Sequence, residues 1–313
     1  MEILSFFIPI FIIIIISLFV TFQTHIEAYY HYVKGINLSK NEKYEYAIKE
    51  FLEALEIQNT YTYIHYLIGV AYYHLEFYLP AIKYFSKYIE LHDKNDYLAY
   101  LSRANSYARL LKYKNAISDF DESIKLKPNY ALSYYNRGLA YYEQDLYDKA
   151  LDDFNKAIEL DGENIIVYYA RALNFYQMEK YDEAIFDFDF VLGKDSRYAP
   201  SYLNRGLVYY SLHEYYNAFK DLNEAIKLMP HNALCYYTRA SIHYHVEDYY
   251  RAILDFNEVI KLDQDYAEAY LYRGYCFRFY EDYENTIEDW KVASKLGIEE
   301  ASENLQKDFN IKV

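Results

Sequence analysis

Apolar and small residues along this chain recur in a pattern that restarts every 34 residues. The clearest copy is residues 131–164, ALSYYNRGLAYYEQDLYDKALDDFNKAIELDGEN. Its second half places Ala150, Leu151, Phe154, Ala157 and Ile158 on one helical face, the stripe of an amphipathic helix over about Lys149–Leu160. Its first half reads as another helix, about Ala131–Gln144, with Gly138 at its middle between Tyr134 and Tyr141. The turn between them is Asp145-Leu146-Tyr147-Asp148, with Asp148 placed to cap the second helix. Neither helix can bury its stripe alone, so neighbouring copies must stack.

Eight copies are present. Their anchor column is Ala47, Ala81, Ala116, Ala150, Ala184, Ala218, Ala252 and Thr286, every step being 34 residues except one of 35 after Ala81. A fixed period of this size means an array of supersecondary units. Position 1 falls at residues 28, 62, 97, 131, 165, 199, 233 and 267, giving repeats 28–61, 62–96, 97–130, 131–164, 165–198, 199–232, 233–266 and 267–300. Position 8 is always Gly or Ala (Gly35, Gly69, Ala104, Gly138, Ala172, Gly206, Ala240, Gly274). A mid-helix glycine costs up to about 1 kcal/mol against alanine, so this column predicts helices crossing closely. Position 17 is tyrosine in all eight repeats: Tyr44, Tyr78, Tyr113, Tyr147, Tyr181, Tyr215, Tyr249 and Tyr283. A large ring at the turn is expected to wedge into the joint with the next repeat.

At Tyr134, Gly138, Tyr141, Ala150, Phe154 and Ala157 the chain resembles the tetratricopeptide repeat (TPR) family, with Pro128 and Pro230 at the family's proline position. Tyr, or His at His31 and His65, stands where the family usually has Trp. The resemblance covers residues 28–300 and implies an all-α solenoid, a right-handed superhelix of helix-turn-helix repeats whose first helices line the concave side. It also implies a non-enzymatic scaffold that binds a protein or peptide segment in its groove.

The family's groove positions are 2, 5, 9 and 12 of the first helix. Here they carry Tyr32, Tyr66, Tyr73, Tyr135, Leu139, Tyr142, Tyr169, Leu173, Tyr176, Leu203, Tyr210, Tyr237 and Tyr244. Such rings can contact a partner at low entropic cost, or can fill the lumen and pack on one another. Family members that grip a chaperone's C-terminal carboxylate use Lys, Asn and Arg there. This chain has Tyr or Leu at position 5 and only Asn136 and Asn204 at position 6, so that clamp is not expected.

A charged column runs beside the groove. Arg103, Arg137, Arg171, Arg205, Arg239 and Arg273 at position 7 co-occur with Asp119, Asp153, Asp187, Asp221, Asp255 and Asp289 at position 23. Lys34 and Glu50 stand there in the first repeat, whereas Ile68 and Tyr84 lose both charges together in the second. The co-occurrence reads as a structural ladder, within a repeat or across a joint, rather than as arginines offered to an acidic ligand.

Residues 3–22, ILSFFIPIFIIIIISLFVTF, contain no charge. About twenty helical residues span a bilayer core, so residues 1–24 read as a single-pass membrane anchor rather than a cleaved signal peptide. Lys34 and Lys40 lean the array towards the cytoplasmic side. An accessory subunit of a membrane secretion, translocation or envelope-assembly complex is then the alternative to a free-standing scaffold. After Gly297, Ile298, Ala301, Leu305 and Phe309 share one face, and residues 301–313 read as a capping helix.

The net charge of −15 opposes nucleic-acid binding, which needs a basic face. Cys235 and Cys276 lie in different repeats and form neither a ligand set nor a disulfide framework. Catalytic and cofactor motifs are missing, so neither an enzyme nor a cofactor is expected. Asp187 and Asp189 in FDFDF look like a metal pair, but each belongs to a repeat column, Asp189 sharing its own with Asp121 and Asn155.

Overall fold

The computed structural model describes residues 2–92 and 95–312, with side chains from residue 17 onwards. The described residues form seventeen helices and no strand. They fall into two compact units, residues 1–162 and 163–313. In the first unit α1 (Glu2–Lys40), α3 (Thr62–His74), α5 (Tyr97–Arg109) and α7 (Ala131–Tyr142) are first helices. Their partners are α2 (Tyr44–Ile57), α4 (Tyr78–Leu91), α6 (Tyr113–Leu126) and α8 (Tyr147–Leu160). In the second unit α9 (Ile165–Gln177), α11 (Ala199–Ser211), α13 (Ala233–His245) and α15 (Ala267–Phe279) pair with α10 (Tyr181–Lys194), α12 (Tyr215–Leu228), α14 (Tyr249–Leu262) and α16 (Tyr283–Lys295). Within each unit a second helix also packs on the next first helix, as α2 on α3 and α12 on α13.

The core is the stack of the sequence columns. Positions 20 and 24 are fully buried throughout, with Phe51, Phe85, Phe120, Phe154, Phe188, Leu222, Phe256 and Trp290 at position 24. The position 24 ring explains the small column opposite it. A β-carbon added to Gly35 would lie 2.5 Å from Phe51, and one added to Gly274 would lie 2.5 Å from Trp290. Where position 24 is the smaller Leu222, a β-carbon on Gly206 would meet it at 3.2 Å.

The turns differ from the sequence reading. The second helix begins at position 17, so its tyrosine is the first helical residue rather than part of the turn, and Leu146, not Asp148, is the capping residue of α8. The reversal is made at position 15, where Glu42, Glu76, Leu111, Asp145, Glu179, His213, Glu247 and Glu281 all adopt φ between 57° and 62°. This is the left-handed region, reached here without a single glycine, at a cost of roughly 1–2 kcal/mol each.

At the C-terminal end α17 (Glu299–Phe309) starts two residues earlier than expected and stops at Asn310, itself left-handed. It buries Ala301 and Leu305 against Leu271 and Trp290, covering the last repeat.

The membrane anchor is corrected. Helix α1 runs unbroken from Glu2 into the first repeat, and among the described residues no helix is long and apolar enough to cross a membrane. Its described stretch turns polar early, with Thr21, Gln23, Thr24, His25 and Glu27 following Val20. The side chains of residues 2–16, on which much of the expected anchor falls, lie outside the described ones. The single-pass anchor and the membrane link both lose their support.

Candidate functional site: an aromatic first-helix face

The first helices carry two kinds of side chain on their accessible faces, and the repeat geometry positions both. The charged one is the arginine at position 7. In each of six repeats its Nε and Nη2 donate to the two carboxylate oxygens of the position 23 aspartate of the same repeat, at 2.6–2.8 Å. The third nitrogen, Nη1, donates to position 25 of the preceding repeat. Arg103 reaches Ser86 at 3.0 Å, Arg137 reaches Asp121 at 2.5 Å, Arg239 reaches Asn223 at 2.7 Å, Arg273 reaches Asn257 at 2.6 Å, and Arg205 reaches Asp189. Both options left open by the sequence, a bond within a repeat and one across a joint, are therefore present in one side chain. Asp187 and Asp189 serve different arginines and do not converge, and no metal-binding cluster occurs among the described residues.

The guanidinium is also stacked. The position 4 tyrosine three residues earlier lies 5.3–5.8 Å from each arginine, and in four repeats a ring at position 11 covers the other face, as Tyr134 and Tyr141 do for Arg137. Burial opposes the charge on Arg137, but its bonds to Asp153 and Asp121 outweigh this and raise its pKa. Burial pushes the carboxyls of Asp153, Asp187, Asp221 and Asp289 upward, against the pull of their arginines.

Repeat two solves the same packing problem without charge. Tyr84 occupies the middle of a stack between His65, at 6.0 Å, and Tyr72, at 5.6 Å. A neutral ring sits where the other repeats place a guanidinium. The first repeat keeps an ionic version, with Lys34 and His31 both on Glu50 at 2.8 and 2.7 Å.

The second kind of side chain is the tyrosine of the groove positions. Within the first unit Tyr32, Tyr66, Tyr73, Tyr135 and Tyr142 are half-buried, with Leu139 beside them. In the second unit Tyr169, Leu173, Tyr176, Tyr210, Tyr237 and Tyr244 are likewise half-buried. Leu203 departs from the expectation. It is 6% exposed, packed with Ala218, Leu222 and Cys235 in the core, because its shorter side chain stays beneath the neighbouring rings.

Most of these rings are supported from below. Tyr66 rests on Phe85 and Tyr88 at 5.6 and 5.5 Å, and Tyr237 rests on Phe256 at 6.0 Å. The position 12 ring packs on the position 17 ring of its own repeat in five cases: Tyr73 on Tyr78, Tyr142 on Tyr147, Tyr176 on Tyr181, Tyr210 on Tyr215 and Tyr244 on Tyr249, at 5.6–6.3 Å. The tyrosine column at position 17 thus supports the groove face, and it also reaches across the joint to the next repeat as expected, Tyr44 at His74, Tyr78 at Arg109 and Tyr249 at Phe279. Position 17 was visible in the sequence, and its five-residue spacing from position 12 was the available sign of this pairing.

Groove tyrosines are also tied by polar contacts, among them Tyr176, 3.3 Å from Ser211 Oγ. Tyr169 accepts from Asn204 Nδ2 at 2.9 Å, and Tyr66 lies 3.3 Å from Ser102 Oγ. At the far end Tyr275 donates to Glu300 at 2.5 Å and accepts from Asn304 at 2.6 Å, so α17 occupies that part of the face. Cys235 and Cys276 are buried and free, their thiols pushed up by burial to about 11 and about 12. They are not poised as nucleophiles.

Helical hairpins in a 34-residue register, a small column facing a buried ring and an aromatic face on the first helices together define an all-α repeat protein of the interaction-scaffold type. Family profiles agree: "tetratricopeptide repeat" matches residues 131–164, 199–232 and 233–266, and "TPR repeat" matches residues 104–145. At residues 104–164 and 199–266 the chain thus carries repeats of the tetratricopeptide repeat family. Among solved structures, a tetratricopeptide repeat protein from Parabacteroides merdae ATCC 43184 is 18% identical, with a TM-score of 0.63 over 80% of this chain and 99% of that one. The C-terminal part of a TPR repeat-containing protein from Cytophaga hutchinsonii is also 18% identical, with a TM-score of 0.62 over 76% and 97%. YrrB, described as a TPR protein with an unusual peptide-binding site, is 20% identical, with a TM-score of 0.50 over 59% and 95%. At these identities the likeness is one of fold. No curated protein matches the chain.

Proposed function

We propose that this chain is a non-enzymatic scaffold that holds an extended peptide or partner segment against the tyrosine-lined faces of its first helices. The observation that carries the reading is the support beneath those tyrosines. Rings packed on position 17 tyrosines or position 24 phenylalanines are held in place while one face stays accessible. A pre-ordered ring gives contact area without the entropic cost of ordering it on binding. The ladder arginines are spent on internal bonds and stacking, which leaves recognition to the tyrosines and the amides between them. The same fold in YrrB carries a peptide-binding site, as its description states.

The test is selection of a phage-displayed peptide library on the full chain, repeated on a variant with Tyr135, Tyr142, Tyr169 and Tyr176 changed to Ser, once circular dichroism shows an unchanged helix content. Peptides that bind the wild type and lose at least tenfold on the variant support the reading. Peptides that bind both equally place recognition on another surface and sink it.

A further inference from the structure

The position 12–17 ring pair is broken in one internal repeat. Repeat three has Ala108 at position 12, and Tyr113 at position 17 is left without the ring that its counterparts hold. Tyr44 stacks on His74 at 4.7 Å, Tyr283 meets Phe309 at 5.8 Å, and the other five position 17 tyrosines have the partners given above. Among the position 17 tyrosines Tyr113 alone has no aromatic partner in the described contacts. A cleft of about 580 Å³ opens at this place, with Ala108, Tyr113, Leu139 and Tyr73 among its walls.

The polar part of the same cleft is directional. Asn136 Nδ2 donates to Asn105 Oδ1 at 3.0 Å, which orients both amides and leaves Asn105 Nδ2 as a donor and Asn136 Oδ1 as an acceptor. That pair complements a peptide group running past it. Arg109, held by Nε on the Tyr78 hydroxyl at 2.9 Å, lies on one wall, and Glu143 on another. The walls therefore carry one charge of each sign and do not select a strongly charged ligand.

We propose that this cleft is the specificity pocket of the scaffold, taking one aromatic side chain of an extended partner segment. The inserted ring packs on Tyr113 and replaces the tyrosine that repeat three lacks, while Asn105 and Asn136 hold the adjoining backbone. The chain's own repeats supply the argument for an aromatic occupant: five times over, the ring that packs on a position 17 tyrosine from this side is a tyrosine. The inference rests on the reading of the first-helix face as a peptide surface.

The decisive variant is Ala108→Tyr, which writes into repeat three the residue found at this position in five other repeats and so keeps the fold. The probes are acetyl-Gly-Gly-Tyr-Gly-Gly-amide and its Leu analogue, followed by ligand-observed NMR on the full chain. The Tyr probe should bind at least fivefold more tightly than the Leu probe, and A108Y should abolish that difference. Equal binding of the two probes, no binding of either up to millimolar concentration, or an undiminished preference in A108Y would overturn the pocket. Library peptides from the selection described above separate the two readings. Retention of such peptides by A108Y, together with their loss on the four-tyrosine variant, would remove this pocket and leave the scaffold standing. Failure of the library to yield any binder would remove both.

Discussion

The carboxylate of Asp153 receives two bonds from Arg137, Nε at 2.8 Å and Nη2 at 2.7 Å, and the aspartate side chain is 6% exposed. Parallel charge-assisted bonds of this kind fix geometry as much as they add energy. Removing one partner strands a buried charge, at about 3–5 kcal/mol, whereas replacing both by well-packed neutral groups is often near neutral.

Repeat two shows which neutral groups fit. Arg137→Ile alone should destabilise the array by about 3 kcal/mol, by leaving Asp153 buried and unpaired. Arg137→Ile with Asp153→Tyr, the Ile68 and Tyr84 arrangement, should recover most of that loss by placing a ring between Tyr134 and Tyr141. Urea unfolding of the two variants beside the wild type checks this. A double variant no better than the single would show that the repeat two stack does not transfer.

The glycine column divides by what faces it. Gly274→Ala drives a β-carbon towards the fully buried Trp290 and should cost about 1–3 kcal/mol, the usual range for overpacking. Gly206→Ala meets only Leu222 at 3.2 Å and gains helix propensity worth up to about 1 kcal/mol. It should be neutral or slightly stabilising. Melting temperatures of the two variants, measured together, decide the matter.

The left-handed position 15 residues hold unused stability. Glu179 and Glu247 both have φ near 60°, where asparagine is accommodated far better than glutamate. Glu179→Asn and Glu247→Asn should each raise stability, by up to about 1 kcal/mol. A fall in melting temperature would mean that these glutamates contribute something beyond the turn.

His65 sets a pH response. Burial lowers its pKa, and its Nδ1 is buried with no hydrogen-bond partner among the described residues. The unfolded chain therefore takes up a proton first as pH falls below about 6.5, the ordinary imidazole value. Stability from this site is complete above that pH and declines beneath it. Between pH 7.5 and 5.5 the wild type should lose more melting temperature than His65→Tyr, which installs the tyrosine usual at position 4. Equal losses in the two proteins would refute the assignment.

The sequence made the repeat, the hairpin and the ladder legible because each depends on spacing, and spacing survives in a single chain. Arg103 with Asp119, sixteen residues apart, needed no coordinates to be paired. What stayed hidden were relationships between columns. The stacking of Tyr134 and Tyr141 on Arg137 and the packing of Tyr73 on Tyr78 depend on rotamers, and the lapse at Ala108 matters only once that second pairing is known. Leu203 was misplaced because position 5 holds both rings that reach the surface and aliphatic groups that do not. The left-handed turn was not legible because five of its eight residues are Glu and one is Leu, which give no local sign of positive φ. The membrane anchor was inferred from hydropathy over residues 3–22 alone, and the described helices do not bear it out.

The guanidiniums of Arg103, Arg137, Arg205, Arg239 and Arg273 keep two bonds within their own repeat and extend one backwards, and this gives fraying a direction inside each unit. If the later of two repeats melts, the earlier one loses a donor to Asp121 or Asp189. Those carboxylates are 52% and 54% exposed and return to water. If the earlier repeat melts first, the surviving arginine, 16–19% exposed and clamped between rings, loses its Nη1 acceptor with little solvent to replace it. Peeling from the C-terminal side is therefore the cheaper route at the Arg137 and Arg205 rungs, and α17, seated on Trp290, covers the C-terminal end of the second unit, where such an unzipping would begin.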